Sequence, residues 1–400
     1  MLNPKAHGPA PAPRRSSQPE PALAAELRSY APRAPPAGRT LEASRPKAAR
    51  DAAPEGAPGL DARRRALIVI PTLNEERVVR RVVEQMLDDD ELEDPLVVIA
   101  DGGSVDQTRE IVREIARDDA RVRLISNPGR VQSAGLNLAA ATATAEADPA
   151  WLVRVDAHAE YPRNYASTLI AEAERTGAAA VAVSMETVGE GPFQRAVAAA
   201  QNSLLGAGGA PHRRVSRAQW VDHGHHALID LAAFEAAGGY DESFSHNEDA
   251  EFDVRLAKLG GRIWLTDKVR IRYFPRATAP ALWKQYFSYG NGRARTVLKH
   301  FVPLKYRQAL PLAVAPAVAG ALLAPLNPML LLPVLAWMFM SLAFGAALAV
   351  RMRDPAVLLS GPAAMIMHLA WSAGFWAQLL TYAGQRLAGD IPAPSKQAAS

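Results

Sequence analysis

The sequence predicts an α/β protein: a mostly parallel sheet flanked by helices, followed by C-terminal membrane helices. Three observations predict it. Short apolar runs alternate with amphipathic stretches of roughly 10–15 residues, the pattern of strands joined by crossover helices. Three of those runs end in polar turns: Pro71-Thr72-Leu73-Asn74-Glu75, Asp101-Gly102-Gly103-Ser104 and Asp156-Ala157-His158. Finally, residues 308–350 and 355–385 contain no Asp, Glu, Lys or Arg.

The elements follow in order. Residues 65–71 (RALIVIP) form an apolar run closed by proline, as in a buried parallel strand. Residues 74–87 are a helix, with Val78, Val79, Val82, Val83 and Met86 at helical spacing. Residues 95–100 make a second strand ending at Asp101, and 105–117 a helix striped by Ile111, Val112 and Ile115. A third strand over 122–126 meets the turn Asn127-Pro128-Gly129, which opens a helix over 131–143. A fourth strand over 151–155 ends at Asp156. Beyond residue 180 the alternation loosens. A strand is expected over 178–184, a helix over 192–205, a glycine-rich loop over 206–211, a helix over 249–259, and strands over 262–265 and 269–273. An amphipathic segment over 281–300 completes a domain spanning 63–300. No internal repeat is present.

Residues 1–62 precede it as a tail. The first 60 residues hold 12 of the 31 prolines and one aromatic residue, Tyr30. Such a segment buries too little apolar surface to offset its ordering entropy, so disorder is expected. It also lacks the compact apolar core of a secretory signal. Residues 386–400 form a second flexible tail. The net charge of +4 gives no reason to expect nucleic acid, and the absence of cysteine excludes disulfides, thiolate metal sites and a cysteine nucleophile.

The polar turns sit where open α/β sheets bind ligands, at the carboxyl ends of strands. Thr72 and Glu75 stand after the first strand; locally, Thr72 or Asn74 caps the next helix and the acids complement its dipole. In the second turn the glycines let backbone approach a ligand closely, and Asp101 can accept hydrogen bonds from a base or ribose. A turn capped by Ser104 is the plainer alternative. Asp156 and His158 can share Mg2+ or Mn2+. Downstream, Asn247-Glu248-Asp249-Ala250-Glu251-Phe252-Asp253 groups carboxylates that can supply a general base.

Five segments in this order, VIPTLNEE, VVIADGGSVDQT, NPGRVQSAGLNLA, VRVDAHAEYP and GGYDESFSHNEDAEFDVRL, resemble family 2 glycosyltransferases over about residues 65–300. These are inverting enzymes with the Rossmann-like GT-A fold. Within the family the chain is most similar to membrane-attached glucosyltransferases of succinoglycan and related exopolysaccharide assembly, where a segment like Trp283-Lys284-Gln285-Tyr286-Phe287 recurs. The resemblance implies that Thr72, Glu75 and Asp101 hold uridine and that Arg130 lies near the base or diphosphate. It implies that Asp156 is the first acid of an Asp-x-Asp metal motif. His158 stands where a second acid is usual, so Mg2+ or Mn2+ is held by Asp156, diphosphate and water, with or without His158. Asp249 matches the catalytic base, and Glu248 is the second candidate.

The implied reaction moves a hexose, glucose foremost, from a UDP-sugar to a polyprenyl-diphosphate-linked saccharide. Expected partners are these substrates, membrane lipid and a polysaccharide-assembly complex, with no nucleic acid. The alternatives are a polyprenyl-phosphate sugar synthase, a chain-extending synthase, or a weakly catalytic nucleotide-binding membrane scaffold. Few spans and the absence of a Gln-x-x-Arg-Trp motif favour one sugar per acceptor. His223, His225 and His226 form a zinc site, line the acceptor side of the cleft or cap a strand. Tyr286, Tyr289, Arg293 and Arg295 suit an acceptor diphosphate or a membrane-surface belt. His368 reads as a polar group facing a helix. Asp106, Asp253 and Arg255 read as cap or ion-pair residues.

A membrane-spanning helix takes about 20 apolar residues. The run over 308–350 is long enough for two, turning near Leu326-Asn327-Pro328, and 355–385 for a third. A membrane region over 301–385 is therefore expected, with a buried hairpin in a soluble core as the alternative. Lys299, Lys305 and Arg307 precede the first span, and Arg351 and Arg353 follow the second. Positive flanks favour the cytoplasm, which puts the catalytic domain on the cytoplasmic face of a bacterial-type inner membrane.

Overall fold

The computed structural model describes residues 65–389, apart from 93, 147–148 and 209–216. The expectations for residues 1–62, for 390–400 and for the end of the 206–211 loop lie outside the described residues. Eight strands form one sheet: β1 (Ala66–Thr72), β2 (Leu96–Asp101), β3 (Val122–Ser126), β4 (Trp151–Arg154), β5 (Ala180–Thr187), β6 (Gln219–Val221), β7 (His225–Asp230) and β8 (Ile263–Tyr273). Their order is β3-β2-β1-β4-β7-β5-β8-β6.

The half built by β1 to β4 is parallel, as the alternation predicts. In β1, side chains point alternately to the two faces. Ala66, Ile68 and Ile70 enter one apolar layer, and Leu67 and Val69 enter the other. Helix α1 (Val79–Leu87) closes the first layer with Val79, Val82, Val83 and Met86. Helix α2 (Thr108–Asp118) packs on the same side, and α3 (Gln132–Glu146) covers the other with Leu136, Ala139 and Ala143.

Beyond residue 180 the sheet is mixed. Strand β7 runs antiparallel between β4 and β5, and β6 runs antiparallel to β8. The two strands expected near 262–273 are one strand, β8, whose register against β5 shifts between Ala182 and Ser184. Further helices are α4 (Tyr165–Thr176), α5 (Pro192–Gln201), α6 (Leu204–Ala207), α7 (Leu231–Ala236), α8 (Glu248–Lys258) and α9 (Ala279–His300).

The C-terminal region comprises α10 (Tyr306–Leu312), α11 (Val314–Ala321), α12 (Leu332–Met352) and α13 (Ser360–Leu387). Two segments are long and apolar enough to cross a membrane, Pro328–Met352 and Pro355–Leu387. The expected third span does not form among the described residues. Pro311 interrupts the run and removes a helical hydrogen bond, leaving the shorter apolar stretch Gln308–Ala321. The Leu312 carbonyl at this break accepts from Ser372 Oγ at 2.9 Å and Trp376 Nε1 at 2.9 Å. Leu335, Phe339 and Val350 of α12 point outward, which a buried hairpin would not permit. The turn between α12 and α13 returns to the sheet layer, where Arg195 Nε lies 3.1 Å from Asp354 Oδ2.

Helices α9 and α13 meet backbone to backbone. A Cβ on Gly290 would stand 1.9 Å from the Trp371 carbonyl oxygen, and one on Gly374 2.0 Å from that of Phe287. Gly374→Ala is therefore expected to cost about 1–3 kcal/mol through overpacking. Thermal unfolding of the full chain in detergent checks this, with Gly384→Ala as control, since nothing lies within 4 Å of that site. Equal melting temperatures for the two variants would refute the close helix contact.

Candidate active site

Strand β4 carries a charge into an apolar layer. Arg154 is 6% exposed and stands among three carboxylates. One guanidinium nitrogen, Nη1, binds Asp249 Oδ1. Nη2 lies 3.5 Å from Glu248 Oε1, and Nε lies 3.7 Å from Asp156 Oδ1. Asp156 follows Arg154 at the strand end. Glu248 and Asp249 open α8, where carboxylates complement the helix dipole. Asn247 precedes them with φ 63°, a left-handed conformation that asparagine tolerates. Its Nδ2 donates to the Tyr289 carbonyl at 2.6 Å and anchors this turn to α9.

The shared cation sets different protonation states. Burial works against ionised Asp156, but Arg154, then His225 and His158, outweigh it and the carboxyl ends at about 2. Asp249 is also buried, and Arg154, His226, His225 and His223 hold it below its ordinary value. Glu248 goes the other way: burial and the adjacent Asp249 charge push it up to about 7 against Arg154.

The three histidines divide between two carboxylates, Asp156 and Asp253. His225 Nε2 lies 3.7 Å from Asp156 Oδ2, whose other oxygen accepts from Gln132 Nε2 at 2.8 Å. His226 is fully buried between Asp253 Oδ1 at 2.5 Å and Tyr240 Oη at 2.9 Å, with Asp249 Oδ1 3.7 Å away. His223 Nδ1 meets Asp253 Oδ2 at 2.7 Å. Asp253 is thus the hub of a histidine pair rather than a cap. Asp106 does accept from Thr108, and Arg255 pairs with Glu251. Among the described residues, no group of three His, Asp or Glu side chains is arranged to hold a metal by itself. The donor chemistry at Asp156 nonetheless fits a hard cation, because one carboxylate with nearby imidazoles leaves most positions to diphosphate oxygens and water. His158 is more than half exposed, and its Nδ1 lies 3.3 Å from Glu75 Oε1. That hydrogen bond outweighs burial and raises the His158 pKa, with Asp156 adding to it.

The remaining candidates gather at the ends of β1 and β2. Thr72 and Asp101 are register partners, and Gly102 N donates to the Thr72 carbonyl at 2.9 Å. The Asp101 carboxylate accepts from Gly103 N and Ser104 N. Arg130, at φ 57°, stands over this turn: a Cβ on Gly103 would be 3.7 Å from its guanidinium. Thr72 Oγ1 is buried without a hydrogen-bond partner among the described residues. The Glu75–His158 contact bridges this group to Asp156.

A cavity of about 1290 Å³ starts at Arg154, Asp156, Glu248 and Asp249. It continues past Tyr286 and Tyr289 to an apolar end walled by Leu310, Val314, Trp337, Met340 and Phe344. Arg295 points elsewhere, donating to the Ser243 carbonyl at 2.7 Å, and Arg293 donates to Gln308 Oε1 at 3.2 Å. His368 bonds the Leu205 carbonyl at 2.7 Å. Sequence reasoning passed over Arg154 and Gln132. The signal for Arg154 was present, since a lone arginine inside an apolar strand requires buried counter-charges.

Residues 67–236 match the family model of Glycosyl transferase family 2. The succinoglycan biosynthesis protein ExoA of Rhizobium meliloti (strain 1021) is 51% identical over 317 residues, 79% of this chain and 96% of that protein. A dolichyl N-acetyl-alpha-D-glucosaminyl phosphate 3-beta-D-2,3-diacetamido-2,3-dideoxy-beta-D-glucuronosyltransferase of Methanococcus voltae is 21% identical over 243 residues, 58% of this chain and 74% of that protein. Among solved structures, the mannosyltransferase PcManGT of Pyrobaculum calidifontis, in complex with GDP-Man and Mn2+, superposes with a TM-score of 0.54 at 21% identity. The alignment covers 82% of this chain and 90% of that one, and shows a shared fold.

Glu248 supplies a pH test. Its folded pKa of about 7 lies above the ordinary 4.5, so its contribution to stability is complete below about pH 4.5 and is lost as pH rises through 7. Glutamine cannot ionise. Glu248→Gln is therefore expected to gain in melting temperature relative to the unsubstituted protein between pH 5 and pH 8. A difference independent of pH would show that Glu248 is not buried as a neutral acid.

Proposed function

The chain belongs to glycosyltransferase family 2, and we propose that it transfers one hexose, with glucose the favoured sugar, from a UDP donor to a lipid-diphosphate-linked saccharide in exopolysaccharide assembly. The observation that carries this reading is the cavity joining the buried carboxylates to the apolar helices. A water-soluble acceptor has no use for the apolar half, whereas a polyprenyl chain does. The identity with a succinoglycan biosynthesis protein supports the exopolysaccharide setting.

In this reading Thr72, Glu75 and Asp101 hold uridine, the unpartnered Thr72 hydroxyl being one free contact. Arg130 meets the base or diphosphate. Asp156, with His158 beside it, would hold Mg2+ or Mn2+, which when bound stabilises charge on the departing diphosphate as a Lewis acid. Asp249 takes the proton of the acceptor hydroxyl. A base must be ionised before it acts, and Arg154 and His226 hold Asp249 in that form. Glu248 carries a proton over part of the neutral range and is the weaker candidate. Attack opposite the leaving group turns an α-linked donor into a β-linked product.

The segments Pro328–Met352 and Pro355–Leu387 would anchor the protein as a multi-pass member of a bacterial-type inner membrane. The turn bearing Arg351 and Arg353 lies on the side of the sheet layer, through Arg195 and Asp354. Positive charge there supports a cytoplasmic catalytic domain.

The full chain, embedded in membrane, can be incubated with lipid-diphosphate acceptors, Mg2+ or Mn2+, and a panel of radiolabelled nucleotide sugars. One donor is expected to label the lipid fraction with a β linkage, and chelation to stop it. Asp249→Asn is expected to lower turnover by about 10²–10⁴-fold while still binding UDP. Full turnover in that variant would remove Asp249 as base. UDP binding with no transfer to any lipid acceptor would favour the scaffold alternative.

A further inference from the structure

We propose that Arg276, Lys284 and His246 form a subsite for the diphosphate of the lipid-linked acceptor, between the carboxylate end of the cavity and its apolar half. The inference rests on the transfer reaction proposed above and assigns part of its acceptor site to specific residues.

All three side chains line the same cavity as Asp156 and Asp249. Among the described residues, neither Arg276 nor Lys284 has an acidic partner. Their neighbours differ. Lys299 is held by Asp241 and Glu251, Lys305 by Asp222 and Arg272 by Glu160. Both are exposed, and cations that line one concave space focus a positive potential that concentrates anions there.

The turn that carries His246 is held in place. The His246-Asn247 turn is clamped on α9 by the Asn247–Tyr289 hydrogen bond of 2.6 Å. The fit is tight, since a Cβ on Gly292 would stand 2.4 Å from the His246 carbonyl oxygen. The His246 ring packs edge-on to Tyr289, with centroids 6.0 Å apart. Lys284 and Ser288 are one helical turn apart on the α9 face that lines the cavity. Arg276 precedes that helix. Burial, then Arg276 and Lys284, lower the pKa of His246.

A diphosphate fits this field by charge and by the planar fork of arginine. Its attached isoprenoid would run along Leu310, Val314, Trp337 and Met340, and its saccharide would face Asp249. Arg130, over the Asp101 turn, does not line this cavity, so the donor diphosphate has its own cation.

Farnesyl diphosphate is the probe, titrated against the full chain in non-ionic detergent. We expect saturable binding that farnesol does not reproduce and that neither saturating UDP nor phosphatidylglycerol vesicles displace. Arg276→Ala and Lys284→Ala should each weaken it by about tenfold or more. UDP affinity should stay unchanged, which also shows that the variants are folded. Three results would overturn the subsite: unaltered farnesyl diphosphate affinity in both variants, competitive displacement by UDP, which assigns the cations to the donor, or displacement by phosphatidylglycerol, which assigns them to lipid head groups. Binding that depends on these residues, without sugar transfer by the unsubstituted protein, would sink the transfer reading and leave the subsite standing. Transfer with an unchanged acceptor KM in both variants would sink the subsite alone.

Discussion

The site depends on one buried cation. Asp156, Glu248 and Asp249 converge from β4 and α8 into space largely closed to water. Three carboxylates there would repel one another strongly at the low effective dielectric of an interior. Arg154 sits between them and makes the arrangement possible. Removing one partner of such a buried set typically costs about 3–5 kcal/mol, because the rest is left uncompensated. The contact also joins residue 154 to residues 248–249, and so fixes where α8 lies against the sheet.

From α8 the constraint passes outward. Glu251, one turn further along, is fully buried and meets Arg255, Lys299 and His300. The last two belong to α9, so this carboxylate ties α8 to the helix that packs along α13. Glu248 and Glu251 make an instructive pair. Both are buried in the same helix, three residues apart. Burial opposes ionisation of each, yet the cations and hydrogen bonds around Glu251 depress its pKa, whereas Asp249 beside Glu248 raises that one. Position relative to charge, not residue type or depth, decides which acid holds a proton. The same logic sets Asp249, held below its ordinary pKa, apart from Glu248, pushed above its own.

The sequence made legible what is local. Strands β1 to β4, their helices and the polar turns at their ends follow from periodicity and from glycine and proline punctuation. Those signals are contained within a few residues. The turn residues Thr72, Glu75 and Asp101 do gather with Arg130, because parallel neighbours place successive strand ends side by side. What was not legible depends on distant partners. Strand β7 is short, opens with two histidines, and is a strand only because β4 and β5 flank it antiparallel. Arg154 reads as a blemish in an apolar strand until α8, nearly a hundred residues later, brings the acids that surround it. Arg293 and Arg295 suit an acceptor diphosphate or a membrane-surface belt by composition, and only the fold shows that they donate to Gln308 and Ser243. Lys284 stands in the segment Trp283-Lys284-Gln285-Tyr286-Phe287, but nothing local shows that it and Arg276 line one cavity.

The break in the apolar run near Pro311 has a consequence for the site. A continuous helix there could have run straight beside α12 and α13. Instead α10 and α11 are short and meet at Leu312, whose carbonyl Ser372 and Trp376 satisfy from α13. Ala315 N donates to the same Ser372 hydroxyl at 3.0 Å. The Leu312 carbonyl and the Ala315 amide are therefore both satisfied by side chains at the break. Leu310, Pro311, Val314 and Ala317 from either side of it form a wall of the cavity. Losing a spanning helix and gaining an apolar wall next to the carboxylates are thus one structural event. It is how the apolar C-terminal helices come to share one cavity with Asp156, Glu248 and Asp249.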